Sequence, residues 1–411
     1  MLANRYANPT GARPRLRVLL LSTQRTWGGG EEQARLIVRG LTARACDVLT
    51  AAPADSALAS LLRQLGFPVF SLPHRARGPS AWLALRRAMR WFRPHVLFMN
   101  DPHAVIHGLL ASLGLPVARI GARRTVFRLR SGWLYRQMLD GVVCSSLAAA
   151  QACRQAGILS QRISIIYDGV DLGRIRQANP IRGRQVLTEL ARNCGGAPPS
   201  GSDQGDPESV HSGNGSPGTR FIVHVGKLTP AKGQDDLITA FAGLAKDHSD
   251  VAVVLIGDGE WRSHLEARMA TLGLSNRVFL PGFRSDALDI VAAADVFVFP
   301  SREEGLGGAL IEALLLGVPV VASSAGGIPE VLNDNPPLGL MVPPADPAVL
   351  QGAIKEVLNL PEEQRGTMTR RAKAIATMRF SEDQMVSQLA ELLHRVVSSK
   401  HLSPHSSPAP R

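Results

Sequence analysis

Two rounds of short apolar runs alternating with helical segments occupy most of this chain, and they limit the folds open to it. The first round starts at Leu16 and the second starts at Phe221. Strands that alternate with helices form mostly parallel sheets with helices on both faces. A chain of 411 residues also exceeds the size of one ordinary hydrophobic core. The pattern therefore predicts an α/β protein with two doubly wound domains.

A segment without periodicity separates the two rounds. Residues 193–219 are rich in glycine, serine and proline, a composition typical of flexible segments. The predicted organisation is a disordered N-terminus at 1–14, a first domain at 15–190, a flexible segment at 191–219, a second domain at 220–380, an amphipathic helix at 381–397 that packs back toward the first domain, and a disordered tail at 398–411.

Charge is divided unevenly along the chain. Residues 1–190 contain 27 arginines, no lysine and 9 acidic residues, a net charge of +18, whereas the rest of the chain carries −6. The overall net charge of +12 therefore comes wholly from the first half. A basic surplus of this size indicates a polyanionic partner, either membrane headgroups or nucleic acid.

The cysteines and the apolar runs favour a protein of the cytoplasm. The four cysteines show neither metal-ligand spacing nor a disulfide framework, which fits a reducing compartment. The first apolar run is much shorter than the ~7–15 residues of a signal-peptide core. Residues 309–325 are almost all apolar or small, but Glu312 and the break at Gly317–Pro319 favour a buried core segment over a membrane span.

Residues 299–331 combine a strand end, a glycine-rich loop, an apolar helix and a second glycine-rich loop. If Gly305–Gly308 form the turn, Glu304 lies in the loop and Glu312 lies about one turn inside the helix, so both carboxylates can face one ligand. Glycines let backbone N–H groups approach an anion, and the helix dipole favours negative charge at that end. The segment therefore predicts a phosphate site flanked by two carboxylates.

Two further loops could serve the same ligand. The turn WGGGEEQ at 27–33 follows the first predicted strand, and its glycines could admit a diphosphate or a sugar, although a plain tight turn explains them equally well. Lys227 and Lys232 lie five residues apart after the first strand of the second round, where both can reach phosphate oxygens. Taken alone, these lysines could also be solvated loop charges.

Residues 80–93 form a candidate amphipathic helix with two possible roles. One arc is apolar from Trp82 to Phe92, whereas another arc carries arginines. The apolar arc could pack on the sheet, or the helix could lie on a membrane surface with help from a second basic cluster near residue 124. The candidate contacts with a membrane or an acceptor are Trp82, Arg86, Arg90, Arg93, Arg123 and Arg124.

The second half presents its motifs in a fixed order: GKLTPAKG at 226–233, GDGE at 257–260, PGF at 281–283, then FPSREEGLGG and ASSAGGIPEV. This series closely resembles the family-4 retaining glycosyltransferases. The resemblance extends to WGGGEEQ and to SQRISIIYDGVDL at 160–172, and it covers about residues 16–397. It implies the GT-B fold, in which two Rossmann-like domains face each other across a cleft, the first binding an acceptor and the second a nucleotide sugar.

The resemblance implies a role for each matching residue. Glu312 would accept hydrogen bonds from the ribose hydroxyls, Glu304 would contact the donor sugar near its anomeric carbon, and Lys232 would neutralise the departing diphosphate. Lys227 stands where the family usually has arginine, and lysine keeps the charge but loses the bidentate fork. The predicted donor-binding residues are Gly29, Gly30, Gly226, Lys227, Lys232, Gly257, Gly259, Pro281, Gly282, Phe283, Glu304, Gly305, Leu306, Gly307, Gly308 and Glu312.

The first domain departs from the family pattern at the sequence NDPH. Many members place a histidine ahead of an acidic residue and a proline after the fourth strand, whereas Asn100 stands first here. Asparagine can orient a hydroxyl but is neither an acid nor a base at neutral pH. His103 could fill the role or merely start a helix, and Asp101 could be a helix N-cap. The predicted catalytic residues are Glu304, Lys232, His103 and Asn100.

The prediction is a retaining glycosyltransferase that moves a sugar from a nucleotide sugar to a lipid-linked sugar, glycolipid or polysaccharide at the cytoplasmic face of a membrane. No Asp-x-Asp pair ends a strand, and the resemblance likewise implies a metal-independent reaction without a cofactor. The alternatives are a soluble acceptor, a nucleotide-sugar epimerase or phosphorylase on the same fold, and a non-enzymatic module that holds nucleic acid. Nucleic acid is disfavoured because no RNA-binding motif is present and aromatic residues are few.

Overall fold

The structure, a computed structural model, describes residues 15–73, 78–127, 129, 132–193 and 218–400. The N-terminus predicted to be disordered, most of the predicted flexible segment 191–219 and most of the predicted tail lie outside the described residues. The chain divides into two compact units, one formed by Met1–Gly169 with Glu382–Arg411 and the other by Val170–Ser381.

The first unit contains a seven-stranded sheet in which all paired strands are parallel. Its strands are β1 (Arg17–Leu21), β2 (Asp47–Pro53), β3 (Val69–Leu72), β4 (Val96–Met99), β5 (Ala118–Arg123), β6 (Gly141–Cys144) and β7 (Ile163–Ile165), in the order β3-β2-β1-β4-β5-β6-β7. Its helices are α1 (Gly29–Ala43), α2 (Ala57–Gln64), α3 (Pro79–Phe92), α4 (Pro102–Ala111), α5 (Gly132–Met138), α6 (Leu147–Gln155) and, from the end of the chain, α16 (Glu382–Ser399).

The second unit contains a six-stranded sheet, also parallel. Its strands are β8 (Arg220–Val225), β9 (Val251–Ile256), β10 (Val278–Gly282), β11 (Val296–Phe299), β12 (Val320–Ser323) and β13 (Leu340–Val342), in the order β10-β9-β8-β11-β12-β13. Its helices are α7 (Leu172–Gln177), α8 (Pro180–Asn193), α9 (Gln234–Leu244), α10 (Arg262–Thr271), α11 (Ala287–Ala292), α12 (Gly308–Leu316), α13 (Ile328–Leu332), α14 (Pro347–Leu358) and α15 (Glu362–Phe380).

One central strand of each sheet, β4 with the sequence VLFM and β11 with VFVF, is buried at every residue. A parallel sheet covered by helices on both faces requires such continuous apolar runs. The apolar runs of the sequence are therefore the strands of two sheets that helices cover, as predicted.

The boundary between the units differs from the predicted one. Residues 170–190 were expected in the first domain, but α7 and α8 belong to the second unit. Helix α8 packs closely on α11, since a Cβ added at Gly183 would lie 1.9 Å from the Asp289 carbonyl oxygen. Arg182 also donates to the Asp289 carboxylate at 2.7 Å. The glycine-rich segment therefore connects α8 to β8 within one unit, and residues 191–193 complete α8.

The last helix, α16, supplies part of the core of the first unit. Val386, Leu389 and Leu393 are buried in the same apolar cluster as residues of α1 and β1. The two helices approach closely at Gly40, where an added Cβ would lie 2.5 Å from a Val386 methyl group. Arg39 donates to Glu382 at 2.9 Å beside this crossing. Helix α16 continues to Ser399, two residues into the predicted tail.

The apolar stretch at 309–325 contains two short elements of the second unit. Helix α12 has nine residues and β12 has four, and most of their side chains are buried in the core. Among the helices that the structure describes, none has both the length and the hydropathy needed to cross a bilayer. The stretch is a core segment, as the sequence indicated.

Candidate functional site

The loops of the second unit meet at the point where the strand order of its sheet reverses. Strands β8 and β11 are neighbours, but one is extended by β9 and β10 and the other by β12 and β13. In doubly wound sheets, ligands bind outside the carboxyl ends of the strands at such a switch point. Residues 226–233 follow β8 and residues 300–307 follow β11, so both predicted phosphate loops lead to this place.

Glycines allow these loops to stack on one another. A Cβ at Gly257 would lie 2.0 Å from the Gly226 carbonyl oxygen, and one at Gly259 would lie 2.3 Å from the Leu228 carbonyl oxygen. Gly233 has φ +66° and would bring a Cβ to 2.1 Å from the Pro300 carbonyl oxygen. Backbone packing therefore accounts for Gly257 and Gly259, which the sequence predicted as ligand contacts.

Lys232 and Glu304 form an ion pair at this switch point. Lys232 Nζ donates to Glu304 Oε2 at 2.5 Å and lies 5.5 Å from the centre of the Phe299 ring. The Ser301 hydroxyl donates to the same carboxylate oxygen at 3.3 Å, and the Gly305 N–H donates to Oε1 at 3.2 Å. The pair is only partly buried. A phosphate group could therefore replace the Glu304 carboxylate as the acceptor of the Lys232 ammonium.

The helix that follows this pair begins with an open N-terminus. Gly307 precedes α12 in a left-handed conformation, with φ +97°. An added Cβ at Gly308 would meet no heavy atom within 4 Å, whereas Leu306 is buried. Glu312 lies one turn into α12 and is half-buried. The first N–H groups of a helix suit an anion, so Gly305–Gly308 can hold a phosphate or sugar oxygen.

A second ion pair, which the sequence did not suggest, ties the two loops together. Arg302 donates to both oxygens of Asp236 at 2.8 and 2.7 Å. The Arg302 N–H also donates to the Ala231 carbonyl at 2.8 Å. Arg302 therefore holds the loop after β11 against the short 3-10 turn Pro230–Lys232, which fixes the position of Lys232.

A buried histidine helps to hold the loop at residues 226–233 in place. His224 Nδ1 lies 2.9 Å from the Val298 carbonyl oxygen, and Gln234 Nε2 lies 3.3 Å from His224 Nε2. Gln234 also donates to the Lys227 carbonyl at 2.9 Å. Burial lowers the pKa of His224 to about 4, so the ring is neutral near pH 7. Sequence reasoning missed this support, because only the fold brings residues 224, 234 and 298 together.

The remaining predicted donor contacts lie around the same sheet edge. Lys227 is exposed on the loop after β8, and Pro281 and Gly282 end β10, where the Gly257 N–H donates to the Gly282 carbonyl at 2.9 Å. Phe283 is 78% exposed. It borders a cavity of about 510 Å³ that is also lined by Arg182, Arg284, Ser285 and Asp286.

In the first unit, the asparagine of NDPH is a buried part of the scaffold. Asn100 Nδ2 donates to the Gly30 carbonyl at 2.9 Å, and Asn100 Oδ1 accepts from Arg124 at 2.9 Å. Arg124 also donates to Asp168 at 2.9 Å. These bonds join the first turn of α1, the end of β4 and the end of β5. The amide of Asn100 therefore positions the glycine turn.

The neighbouring residues of NDPH begin helix α4. Asp101 is its N-cap, because Asp101 Oδ1 accepts from the Ala104 N–H at 2.9 Å. The same carboxylate accepts from the Thr23 N–H and hydroxyl, each at 2.7 Å. His103 is exposed in the first turn of α4. The N-cap alternative for Asp101 is confirmed.

The predicted membrane contacts of α3 lie on a helix whose apolar arc packs inside the unit. Leu85, Met89 and Phe92 are buried on the sheet, so the apolar arc packs inside the unit. Trp82 is half-buried and donates from Nε1 to His107 Nδ1 at 2.7 Å. Arg86 donates to the carbonyls of Ala111 and Leu113, which end helix α4 and the turn after it. Trp82 and Arg86 are thus both engaged within the unit, and their contact with a membrane or an acceptor stays a prediction.

Two arginines of the second basic cluster are held inside the first unit. Arg123 is buried and donates to the Phe127 carbonyl, and Arg124 is held by Asn100 and Asp168. Both guanidinium groups are therefore occupied by bonds within the unit, and a contact of either with a membrane or an acceptor stays a prediction. Arg90 and Arg93 are exposed.

Comparison with known proteins places this chain in a family. Residues 27–174 match the model for Glycosyltransferase Family 4, and residues 208–375 match the model for Glycosyl transferases group 1, which together cover more than half of the chain. The 2-deoxystreptamine glucosyltransferase of Streptomyces kanamyceticus is 34% identical over 56% of this chain and 54% of its own length. A GDP-mannose-dependent monoacylated alpha-(1-6)-phosphatidylinositol monomannoside mannosyltransferase of Corynebacterium glutamicum is 34% identical over 43% of this chain and 47% of its own. The chain thus spans about half the length of these curated relatives.

Solved structures show the fold. Anabaena HepE in complex with UDP-glucose superposes with a TM-score of 0.76 at 24% identity, covering 93% of this chain and 100% of that one. Sucrose-phosphate synthase from Thermosynechococcus elongatus superposes with a TM-score of 0.74 at 17% identity, covering 94% and 100%. With its two parallel sheets and its matches to both family models, the chain belongs to the family-4 glycosyltransferases and has the GT-B fold.

Proposed function

We propose that this protein is a retaining glycosyltransferase whose second unit binds a nucleotide sugar and whose first unit binds the acceptor. The observation that carries the proposal is the Lys232–Glu304 pair beside the open N-terminus of α12. A cation, a carboxylate and free helix N–H groups together suit a sugar diphosphate, which presents both anionic oxygens and hydroxyl donors. The UDP-glucose bound to the HepE neighbour is a ligand of this class.

Binding would exchange the partners of this pair. A phosphate oxygen takes the Lys232 ammonium, which leaves Glu304 free to accept from a sugar hydroxyl near the anomeric carbon. Arg302 and Gln234 keep both loops in place during the exchange. Glu312, one turn along α12, accepts from the ribose hydroxyls.

In the transfer step, the anomeric carbon would exchange its bond to the phosphate oxygen for a bond to the acceptor oxygen on the same face of the sugar. The bond from that carbon to the phosphate oxygen breaks, and the acceptor oxygen forms the new bond. The acceptor proton passes to the departing phosphate. Lys232 and the N–H groups of α12 stabilise the negative charge that develops on the diphosphate, so the reaction proceeds without a metal ion.

Turnover of substituted enzymes tests this proposal. Lys232→Ala and Glu312→Ala should each lower transfer from UDP-glucose or GDP-mannose at least ~100-fold, because each removes a contact with the donor. Lys246→Ala, an exposed lysine just after α9, is the matched control. Full turnover in both test variants would refute the assignment. NMR of the product would show the retained anomeric configuration, and chelator-treated enzyme should keep its rate.

The alternatives on the same fold predict different products. An epimerase would convert the nucleotide sugar without any acceptor product, and a phosphorylase would require inorganic phosphate. Product analysis with and without phosphate separates these outcomes from glycosyl transfer.

We further propose that the acceptor is lipid-linked and that the protein works at the cytoplasmic face of a membrane. Helix α3 supports this through the face opposite its buried arc. Leu83 and Trp91 are 69% and 54% exposed and share that face with the exposed Arg87 and Arg90. Apolar side chains beside arginines suit an anionic membrane surface. Several relatives are phosphatidylinositol monomannoside mannosyltransferases, which supports an acceptor of this kind.

Co-sedimentation with vesicles tests the membrane proposal. Leu83→Asp with Trp91→Asp should reduce binding to phosphatidylglycerol vesicles, because the substitutions remove the apolar anchors. Leu159→Asp changes an equally exposed leucine away from α3 and should have no effect. Equal binding by wild type and the double variant would contradict the proposal. Salt-sensitive binding to RNA by both would favour the nucleic-acid alternative.

A further inference from the structure

Two buried cysteine thiols of the first unit contact each other. Cys144 is the last residue of β6, and Cys153 lies in α6, the helix that follows this strand. Both residues are fully buried, and the Cys144 thiol donates to the Cys153 sulfur at 3.7 Å. These two residues, the thiol pair, are both free cysteines. The proposed transfer reaction gives neither of them a role.

The geometry of the thiol pair suits a covalent bond between its sulfurs. A disulfide holds its sulfur atoms about 2.05 Å apart, so these two have to approach by roughly 1.7 Å. Strand β6 and helix α6 pack against each other, and only Ser145 and Ser146 connect them. Rotation of the two side chains with a small shift of α6 can therefore close the distance.

A third buried cysteine provides a contrast. Cys46 belongs to the apolar cluster that contains residues of α1 and α16, whereas the thiol pair belongs to the cluster on the opposite face of the same sheet. The Cys46 thiol donates to the Arg44 carbonyl at 4.0 Å. Cys46 is therefore a control for a single buried thiol in the same unit.

The two thiols of the pair differ in acidity. The hydrogen bond from Cys144 is the largest cause that lowers the pKa of Cys153, and the charges of Arg123 and Arg154 lower it further, against the effect of burial. The same hydrogen bond raises the pKa of Cys144. The thiolate is the reactive form of cysteine, so Cys153 is the first nucleophile and Cys144 the second.

We propose that the thiol pair forms a reversible disulfide when a hydroperoxide such as hydrogen peroxide reaches it, and that this bond locks α6 to β6. The Cys153 sulfur attacks one peroxide oxygen, the O–O bond breaks, the other oxygen leaves as water, and Cys153 becomes a sulfenic acid. The Cys144 sulfur then attacks the Cys153 sulfur, the S–O bond breaks, and a second water leaves as the S–S bond forms. Two electrons pass from the sulfurs to the peroxide, the two thiol protons end in the two waters, and a dithiol reverses the oxidation.

The bond should make the first unit more resistant to unfolding. A disulfide between β6 and α6 closes a loop in the unfolded chain and lowers the entropy of that state. Because both thiols are fully buried, the peroxide reaches them only when α6 opens locally, so the reaction should be slower than that of an exposed thiol. The inference does not depend on the proposed glycosyltransferase function.

Peptide mass spectrometry of the oxidised full chain tests the bond. The protein is treated with hydrogen peroxide, the remaining thiols are alkylated with iodoacetamide, and the chain is cut with trypsin. Cleavage after Arg136 and Arg154 leaves both cysteines of the pair in one peptide. In wild type this peptide should carry no alkyl group and should be about 2 Da lighter than its reduced form. Cys46→Ser and Cys194→Ser should give the same result, and Cys153→Ser should not.

The thermal midpoint of the same samples tests the lock. Oxidation should raise the midpoint of wild type and Cys46→Ser by about 5 °C, and dithiothreitol should restore it. Cys153→Ser should show no such rise. Two outcomes would overturn the inference, and both are measured on wild type itself. One is a peptide alkylated at both cysteines or oxidised to a sulfinic acid without the mass loss, which would mean that the thiols only pack together. The other is a bridged protein whose midpoint does not rise.

Discussion

At Gly233 the loop after β8 packs against the loop after β11, and substitution of this glycine gives a direct test of the site geometry. Its φ of +66° disfavours any side chain, and a Cβ would clash with the Pro300 carbonyl oxygen at 2.1 Å. We expect Gly233→Ala to destabilise the second unit by more than ~2 kcal/mol and to weaken nucleotide binding. Denaturant unfolding and calorimetric titration with UDP measure the two effects.

The control for this substitution is Gly352→Ala on the exposed face of α14. An added Cβ there meets no atom within 4 Å. Alanine is a better helix former than glycine, so this variant should be more stable by about 0.5–1 kcal/mol. A Gly233→Ala protein as stable as Gly352→Ala would show that the loops do not pack as described.

His224 makes the stability of the second unit depend on pH. Its pKa is lowered from 6.5 in the unfolded chain to about 4 in the folded protein. The unfolded chain therefore binds a proton first, and stability that is present above pH 6.5 is lost as pH falls toward 4. The full loss is about 3 kcal/mol.

Urea unfolding across this pH range measures the effect. His224→Gln should flatten the dependence of unfolding free energy on pH, whereas His264→Gln, at an exposed histidine of the same unit, should keep it. The same slope in all three proteins would mean that His224 is not buried in its neutral form.

At this scale the sequence indicated candidate donor-site residues, whereas only the structure shows the partners of those residues. Lys232 and Glu304 follow from motif and spacing, but their pairing needs the loops to meet. Glu31 and Glu32 are adjacent in sequence, and only the packing of α1 shows that Glu32 pairs with Arg35 while Glu31 faces the sheet edge. Propensity and spacing contain no signal for this difference.

Helix α16 shows how one element completes a core formed far away in the sequence. Leu393 is fully buried in the first unit. We expect Leu393→Ala to lower the unfolding free energy of that unit by about 2–5 kcal/mol, because it leaves a cavity against α1 and β1. Met378→Ala, at an exposed position of α15, should change stability little. Tryptophan fluorescence during urea unfolding measures both variants, and equal stability would contradict the packing of α16.

Elements were predictable where the apolar pattern was strong. The doubly wound alternation anticipated the parallel sheets, because buried strands need continuous apolar runs. The pattern of α3 also located its apolar arc, but it could not tell a sheet from a membrane as the surface that the arc covers. The boundary between the units was misplaced for a similar reason. Loop composition indicates where a connection lies. The contacts of α8 with α11, in contrast, determine that α8 belongs to the second unit.

At the scale of the whole molecule, part of the basic surplus of the first half forms hydrogen bonds within the fold. Several arginines donate to carbonyl groups at the ends of helices and loops. Arg86 does so at the end of α4, Arg119 at Ser112, and Arg162 at Arg136. Cations near helix C-termini also offset the helix dipole there. Net charge therefore overstates the basic surface, and the exposed face of α3 is the better guide to a partner.

The central claim is that the second unit recognises a diphosphate through Lys232 and the N-terminus of α12. The most direct test is calorimetric titration of the full chain, in which the affinity for UDP is compared with that for UMP and the affinity for GDP with that for GMP. We expect one diphosphate to bind at least ~10-fold more tightly than its monophosphate, and Lys232→Ala to remove that preference, because the ammonium contacts the second phosphate. Equal affinity for diphosphate and monophosphate, or an unchanged preference in Lys232→Ala, would contradict the account.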